Sequence, residues 1–559
     1  MQKSPATSDS LDVDLAGNHQ HSSPDTHTSP LNTRSALGSG NLSKFFEAGI
    51  LSAQWDGFEE NGTFRNVYIG TDVANLHHLI RDHEPRGNHY LYYPFPAIRD
   101  ELPWKPRPEL ASHHYLNADS INDTSSFPVQ PIRDALVETY FQDIHPGFPV
   151  IDEAEFRRRY ADPRDPPPLL IFQAVLLAAA RISDNPQVAA SRGTTTATLF
   201  RRAKTLFDLR HETDRVDLVQ AALLLAWYPE SSDTVAGNAY YWVGNAVRIA
   251  FGMGLHRTPS LPYVPPPRKR FYRKYKKTWW MVVYSEVMLA LEYGRPCMIR
   301  AEDFDVGLLE DEDFRNMDDS EDQRVNRLFC SVLADTCLAA LDVLSLRAPR
   351  AKNTGLTTAN IERQLAAVAL RIPPSHDAWS CQLRLVYNLV VLVHYRTSTE
   401  PDAAKFCSEA ASSILVTFET MLVQNTIRQC HLSCTTALMG AAIQFAREVR
   451  ARAASGSIVT AISAHGQLRR LLAPADTLSA YFMNIDAICR LCKCLDTRAE
   501  ILIKECQARE SSVSAAQLPV ETEIDWEDVM TGCRMPNIGL DLETGDWLND
   551  YSWADIMPS

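Results

Sequence analysis

At 559 residues, 45% of them hydrophobic and 22% charged, the chain can bury a sizeable core and holds more than one compact unit plus tails. A net charge of −14 and an isoelectric point near 5.6 exclude the global basicity of a free-standing nucleic-acid binder. The opening residues are polar, without the apolar stretch of a secretory signal, and no apolar run nears the ~18 residues of a membrane span, so no membrane partner is expected.

Residues 1–43 are rich in Ser, Thr, Pro, Asn and His and almost lack large apolar side chains, so they cannot offset their ordering entropy and are predicted to be a disordered tail. Residues 44–127 read as a leader wrapped on the main body, with a strand or extended piece at 64–69, a helix at 71–81 and Pro-rich extended chain at 92–108. The main helical body spans 128–508. Its first amphipathic face is Ile132, Leu136, Tyr140 and Phe141, stopped by the turn His145-Pro146-Gly147-Phe148-Pro149. Apolar helices are predicted at 168–181, 194–210 and 218–227.

Residues 238–300 organise the rest. Tyr241, Trp242, Asn245, Ile249 and Met253 share one helical face, Gly254 suits a left-handed helix end, and Pro259 prevents quick resumption. A second helix at 271–291 carries Trp279, Trp280, Val283, Val287 and Leu291 and stops at Gly294 and Pro296, so the two should pack as an antiparallel pair. An acidic loop follows at 302–322, and further helices are predicted at 326–346, 358–372, 381–397, 403–425, 430–453 and 463–508. Strands and helices do not alternate, so the fold class is all-α, a multi-helix body between tails. All twelve cysteines lie at or beyond Cys297, mostly in apolar helical patterns, and read as reduced, buried thiols.

Two segments carry exposed chemistry. After three prolines come Arg268, Lys269, Arg270, Arg273, Lys274, Lys276 and Lys277, a run suited to nuclear import or phosphate contact; the simpler reading is the solvated face of the second helix. Residues 509–559 form a linker and an acidic-aromatic tail, in which ten acids from Glu521 onward stand against the single base Arg534. Charge repulsion keeps such a tail open, and Trp526, Trp547, Leu548, Tyr551 and Trp553 would then meet a coactivator groove. The sequence contains no Gly-rich phosphate loop, GxSxG elbow or HExxH helix, so no catalytic residues are assigned and the chain is not read as an enzyme.

The motifs Gly254-Leu255-His256-Arg257, Lys277-Thr278-Trp279-Trp280 and Gly294-Arg295-Pro296, with residues 199–230 and the turn at 145–152, resemble the fungal-specific transcription factor middle domain, in particular the cutinase transcription factor group of zinc-cluster regulators. The resemblance spans about 68–309 and implies an all-helical regulatory domain in which Gly254, Leu255, Arg257, Trp279, Trp280, Gly294, Arg295 and Pro296 are structural. It further implies a nuclear regulator of metabolic genes, serving a secondary-metabolite cluster or lipid and cutin-type carbon use, with the transcription machinery or a coactivator as partner. The family's DNA reader holds two zinc ions on six cysteines. Here residues 1–296 contain none, and Cys489-x-x-Cys492-x-Cys494 with Cys506 lacks a partner pair, so no zinc or other cofactor is expected. Either the sequence is a truncated form of a longer regulator, or it reaches DNA through a partner regulator, in a homodimer or heterodimer. The alternative is a helical metabolic enzyme or ligand-binding protein without a recognised active site.

Overall fold

The computed structural model describes residues 65–69 and 91–95 and, with short interruptions, 123–512. The expected tails at 1–43 and 521–559 and the helix at 71–81 lie outside the described residues. Strand β1 (Arg65–Ile69), where an extended piece is expected, pairs with β2 (Leu91–Phe95). The rest of the described regular structure is helical, apart from one isolated bridge between Arg315 and Glu321.

Helix α1 (Gln130–Asp143) starts with Pro131 in its first turn, where a missing N–H does no harm. Helix α2 (Glu153–Ala161) is capped by Asp152, whose carboxylate accepts from the Glu155 N–H at 2.9 Å. Nearly every residue of α3 (Leu169–Ile182) is buried, Gln173 and Arg181 included, as expected of a helix apolar all round. It packs against α1, α5 (Arg192–Asp208) and α6 (Arg215–Leu225), with the short α4 (Pro186–Ala190) in between. The buried Gln173 amide donates to the carbonyls of Thr124 at 2.9 Å and Ser126 at 3.0 Å, tying the leader's end to this centre.

Helix α7 (Ala239–Met253) ends at Gly254 in the left-handed conformation, φ 74°. Helix α8 (Pro266–Tyr293) packs on α7 and is longer than its hydrophobic pattern indicates, because the prolines that precede the basic run enter its first turn.

The second half comprises α9 (Arg327–Leu346), α10 (Thr358–Arg371), α11 (Ala378–Arg396), α12 (Ala403–Val423), α13 (Leu432–Ala454), α14 (Ile458–Arg470), α15 (Leu472–Ser479) and α16 (Ile485–Ser512). Contacts of α8 with α9 and α13 join it to the first half, and one apolar core runs through both. The single helix expected at 463–508 is corrected to three. Pro474 has no N–H to offer and its ring would meet the Arg470 carbonyl, so α14 ends at Arg470 and Pro474 enters the first turn of α15. By length and composition α9 and α12 would each cross a membrane, but both lay their apolar faces into the core, with Phe329, Leu333, Ile414 and Phe418 buried.

Candidate functional site

The basic run lies on the first half of α8, facing the acidic loop. Lys276 meets Asp313 at 2.6 Å with both side chains nearly buried, and Arg273 reaches Asp319 at 2.5 Å and the Asn316 carbonyl at 3.3 Å. Arg270 also pairs with Asp319, and Lys274 approaches Asp217 of α6 at 4.0 Å. Burial raises the Asp217 carboxyl to about 7 against the pull of Lys274. Lys277 is 4% exposed, and burial lowers its pKa. Among the described side chains of the run, Arg270, Arg273 and Lys276 thus hold the loop at 302–322 onto α8, while Lys274 faces α6. The side chains of Arg268 and Lys269 lie outside the described ones.

The signature residues shape the same region. Trp279 and Trp280 are 0% and 2% exposed, and the Trp280 indole donates to the Gly307 carbonyl at 3.0 Å. Leu255 is buried, Arg257 lies 3.7 Å from Asp305, and Gly294 holds φ 62°. Between Gly294 and Pro296, Arg295 stacks its guanidinium over Tyr240 and Tyr293, at 4.4 and 4.7 Å from the ring centroids. Further along the same network, the buried His145 ring bonds Asp322 at 2.8 Å, and Asn326 N–H donates to the Pro146 carbonyl at 2.9 Å. Burial alone would raise the Asp322 carboxyl, but the His145 bond and the Lys277 charge bring it below the ordinary range. His145, Glu153 and Asp322 bring one donor atom each within 4.8 Å, a spacing a cation could use. Here these donors serve each other and Arg157 and Arg324, at 2.6 and 3.1 Å from Glu153.

Where the two halves meet, the structure assembles a polar centre that motif reading missed. The His431 ring is buried among Phe148, Trp227, Tyr284, Phe329 and Trp379, with ring centroids 5.1 to 6.0 Å away. The Tyr284 hydroxyl shares a 2.6 Å hydrogen bond with the Ser433 hydroxyl, while His431 Nε2 has no protein partner. Burial and the nearby Arg181 charge push His431 down to about 3, so it is neutral at physiological pH.

Arg181 comes from the end of α3. Its guanidinium lies over Trp227 at 4.9 Å and over Phe482 at 4.1 Å, and Nη2 donates to the Cys430 carbonyl at 3.4 Å. Nε and Nη1 are buried without a protein partner. Beside it opens a cavity of about 230 Å³ between α3, α5, the end of α6 and the turn after α15. The sequence signal for this centre is the one charge inside the apolar run 169–182, which helix periodicity alone passes over.

The cysteine pattern in α16 has Cys489 and Cys492 buried as free thiols, and burial pushes Cys492 up to about 12. A group so reluctant to ionise is a poor zinc ligand. The aromatic anchors Trp526, Trp547, Leu548, Tyr551 and Trp553 lie outside the described residues.

Comparison with known proteins places these elements in a wider context. Residues 137–344, covering α1 through most of α9, match the fungal specific transcription factor domain. The chain is 32% identical over 450 residues to an acetamidase regulatory protein of Aspergillus oryzae, covering 76% of this chain and 55% of that protein. It is 33% identical over 411 residues to the protein of that name in Emericella nidulans, covering 69% and 49%. Cutinase transcription factor 1 alpha of Fusarium vanettenii is 28% identical over 436 residues, covering 71% and 46%. The chain spans about half the length of these curated relatives.

Proposed function

Because the chain belongs to the fungal-specific transcription factor domain family, we propose that it regulates transcription of metabolic genes in the nucleus. The observation that carries this reading is the extent of the likeness. It runs through the matched domain and on over about three quarters of the chain, in relatives named as regulators and not as enzymes.

The division of labour follows from chemistry. The helical body is a rigid regulatory unit, and residues 509–559 supply the contact with a coactivator or the transcription machinery. Arg270, Arg273 and Lys276 of the basic run are engaged with the acidic loop, which favours an internal role over import or phosphate contact.

The test is a tagged chain in its host, with transcript profiling of a deletion strain. Nuclear accumulation, with loss of a coherent set of metabolic transcripts, supports the reading. A chain held outside the nucleus, or an unchanged transcript profile, overturns it.

A further inference from the structure

A guanidinium buried without a counter-charge is an unstable arrangement unless an anion completes it. Arg181 is 6% exposed, and no carboxylate pairs with it among the described residues. Asp143 and Asp184 are engaged elsewhere, both pairing with Arg428, at 2.7 and 3.2 Å. The neighbouring Arg192 is satisfied differently. Its Nη1 donates to the carbonyls of Ala180 and Arg181, at 3.2 and 2.6 Å, at the C-terminal end of α3. That places a second positive group at the cavity wall, over the Tyr481 ring at 5.0 Å, and no acidic side chain lines the cavity. The Thr196 hydroxyl is also engaged, donating to the Arg192 carbonyl at 2.8 Å.

We propose that this cavity binds a small apolar monocarboxylate, its carboxylate drawn to the Arg181 guanidinium at the cavity wall and its body lying among Leu177, Trp227 and Phe482. Charge-assisted hydrogen bonds from a guanidinium are the strong kind, and they are stronger still out of water. The volume sets the size. A cavity of ~150 Å³ holds benzene, so about 230 Å³ takes an aromatic ring or a short acyl chain with its carboxylate. A phosphate dianion fits less well, because its second charge would face aromatic and aliphatic walls. The site touches α3, α5, α6 and the turn after α15, so an occupant would fasten elements of both halves of the body. Its use as an effector site rests on the regulator reading above; the binding itself does not.

The test uses the purified full chain, followed by thermal shift and calorimetry. Sodium benzoate and sodium hexanoate are the probes, with benzamide, hexanamide, sodium phosphate and sodium chloride as controls at matched ionic strength. At least one carboxylate should raise the melting temperature by a few degrees in a saturable way, and its amide should bind at least about tenfold more weakly. Arg181→Met should lose that response while its ligand-free melting temperature stays level or rises, because an uncompensated charge has gone. Should that variant fail to fold, Gly193→Leu decides. A Cβ at Gly193 has no neighbour within 4 Å, so its side chain can enter the cavity and abolish the response in an otherwise stable protein. The proposal is overturned if neither carboxylate gives a saturable shift, if an amide, phosphate or chloride matches it, or if either folded variant keeps the full response. Because binding is read on purified protein, a chain that binds benzoate yet regulates no genes refutes only the regulator reading.

Discussion

Replacing Trp280 with Ala tests whether the paired helices α7 and α8 hold the core together. The side chain is 2% exposed, with its ring edge-to-face with Phe304 at 5.9 Å and its indole N–H on the Gly307 carbonyl at 3.0 Å. A buried tryptophan removes ~150–250 Å² from water, which at ~25 cal/mol per Å² is about 4–6 kcal/mol before the part that Ala retains. Large-to-small changes at such sites measure about 3–5 kcal/mol, and that is the expected loss. Trp280→Phe separates the terms. It keeps most of the apolar area but drops the bond to Gly307, and since that carbonyl can turn to water the loss should be about 1–2 kcal/mol. Urea unfolding followed by circular dichroism, with the slope unchanged between variants, measures both. A loss below about 1 kcal/mol for Trp280→Ala would refute the packing argument.

Three further substitutions probe other parts of the structure. A Cβ at Gly147 would lie 2.3 Å from the Trp379 ring and 2.9 Å from Phe329, so Gly147→Ala should destabilise by about 1–3 kcal/mol in the same unfolding assay; an unchanged midpoint contradicts this. Lys276→Met strands the nearly buried Asp313 and should lose about 3 kcal/mol, most of it recovered when Asp313→Leu is added; equal losses in the single and double variants would contradict the pairing. His431 has a folded pKa near 3 against about 6.5 unfolded, so its contribution is full above pH ~6.5 and is lost as pH falls toward 3. Between pH ~6 and ~4 the wild type should therefore lose about 1.4 kcal/mol per pH unit more than His431→Gln, and parallel pH profiles would contradict the buried neutral ring.

The helices were legible in the sequence because most obey a single period. Gly254 and Gly294 marked helix ends correctly because few other residues adopt positive φ at so little strain. Pro474 was visible too, yet the apolar rhythm on either side of it ran on, and periodicity hid the break that its ring imposes. The basic run shows a deeper limit. A row of cations beside prolines reads as a solvated face, and only the folded chain shows the acids of the loop arriving from about forty residues away to meet it. The same holds for the polar centre. Arg181 bonds Cys430, 249 positions away, while His431 is caged partly by Trp227 and Phe148, both from the first half of the chain. No local pattern encodes such a meeting, although a lone charge in an apolar helix signals that something must answer it.

The central claim is that this chain regulates transcription, and the most direct measurement tethers residues 521–559 to an unrelated DNA-binding domain upstream of a reporter. If the acids of the segment favour water and Trp526, Trp547, Tyr551 and Trp553 offer apolar contact area, the fusion should activate. Changing the three tryptophans to Ala should remove most of the signal, since aromatic anchors dominate such interfaces, whereas Asp546, Asp550 and Asp555 to Asn should weaken it less. A silent fusion, or full activity without the tryptophans, would contradict the account.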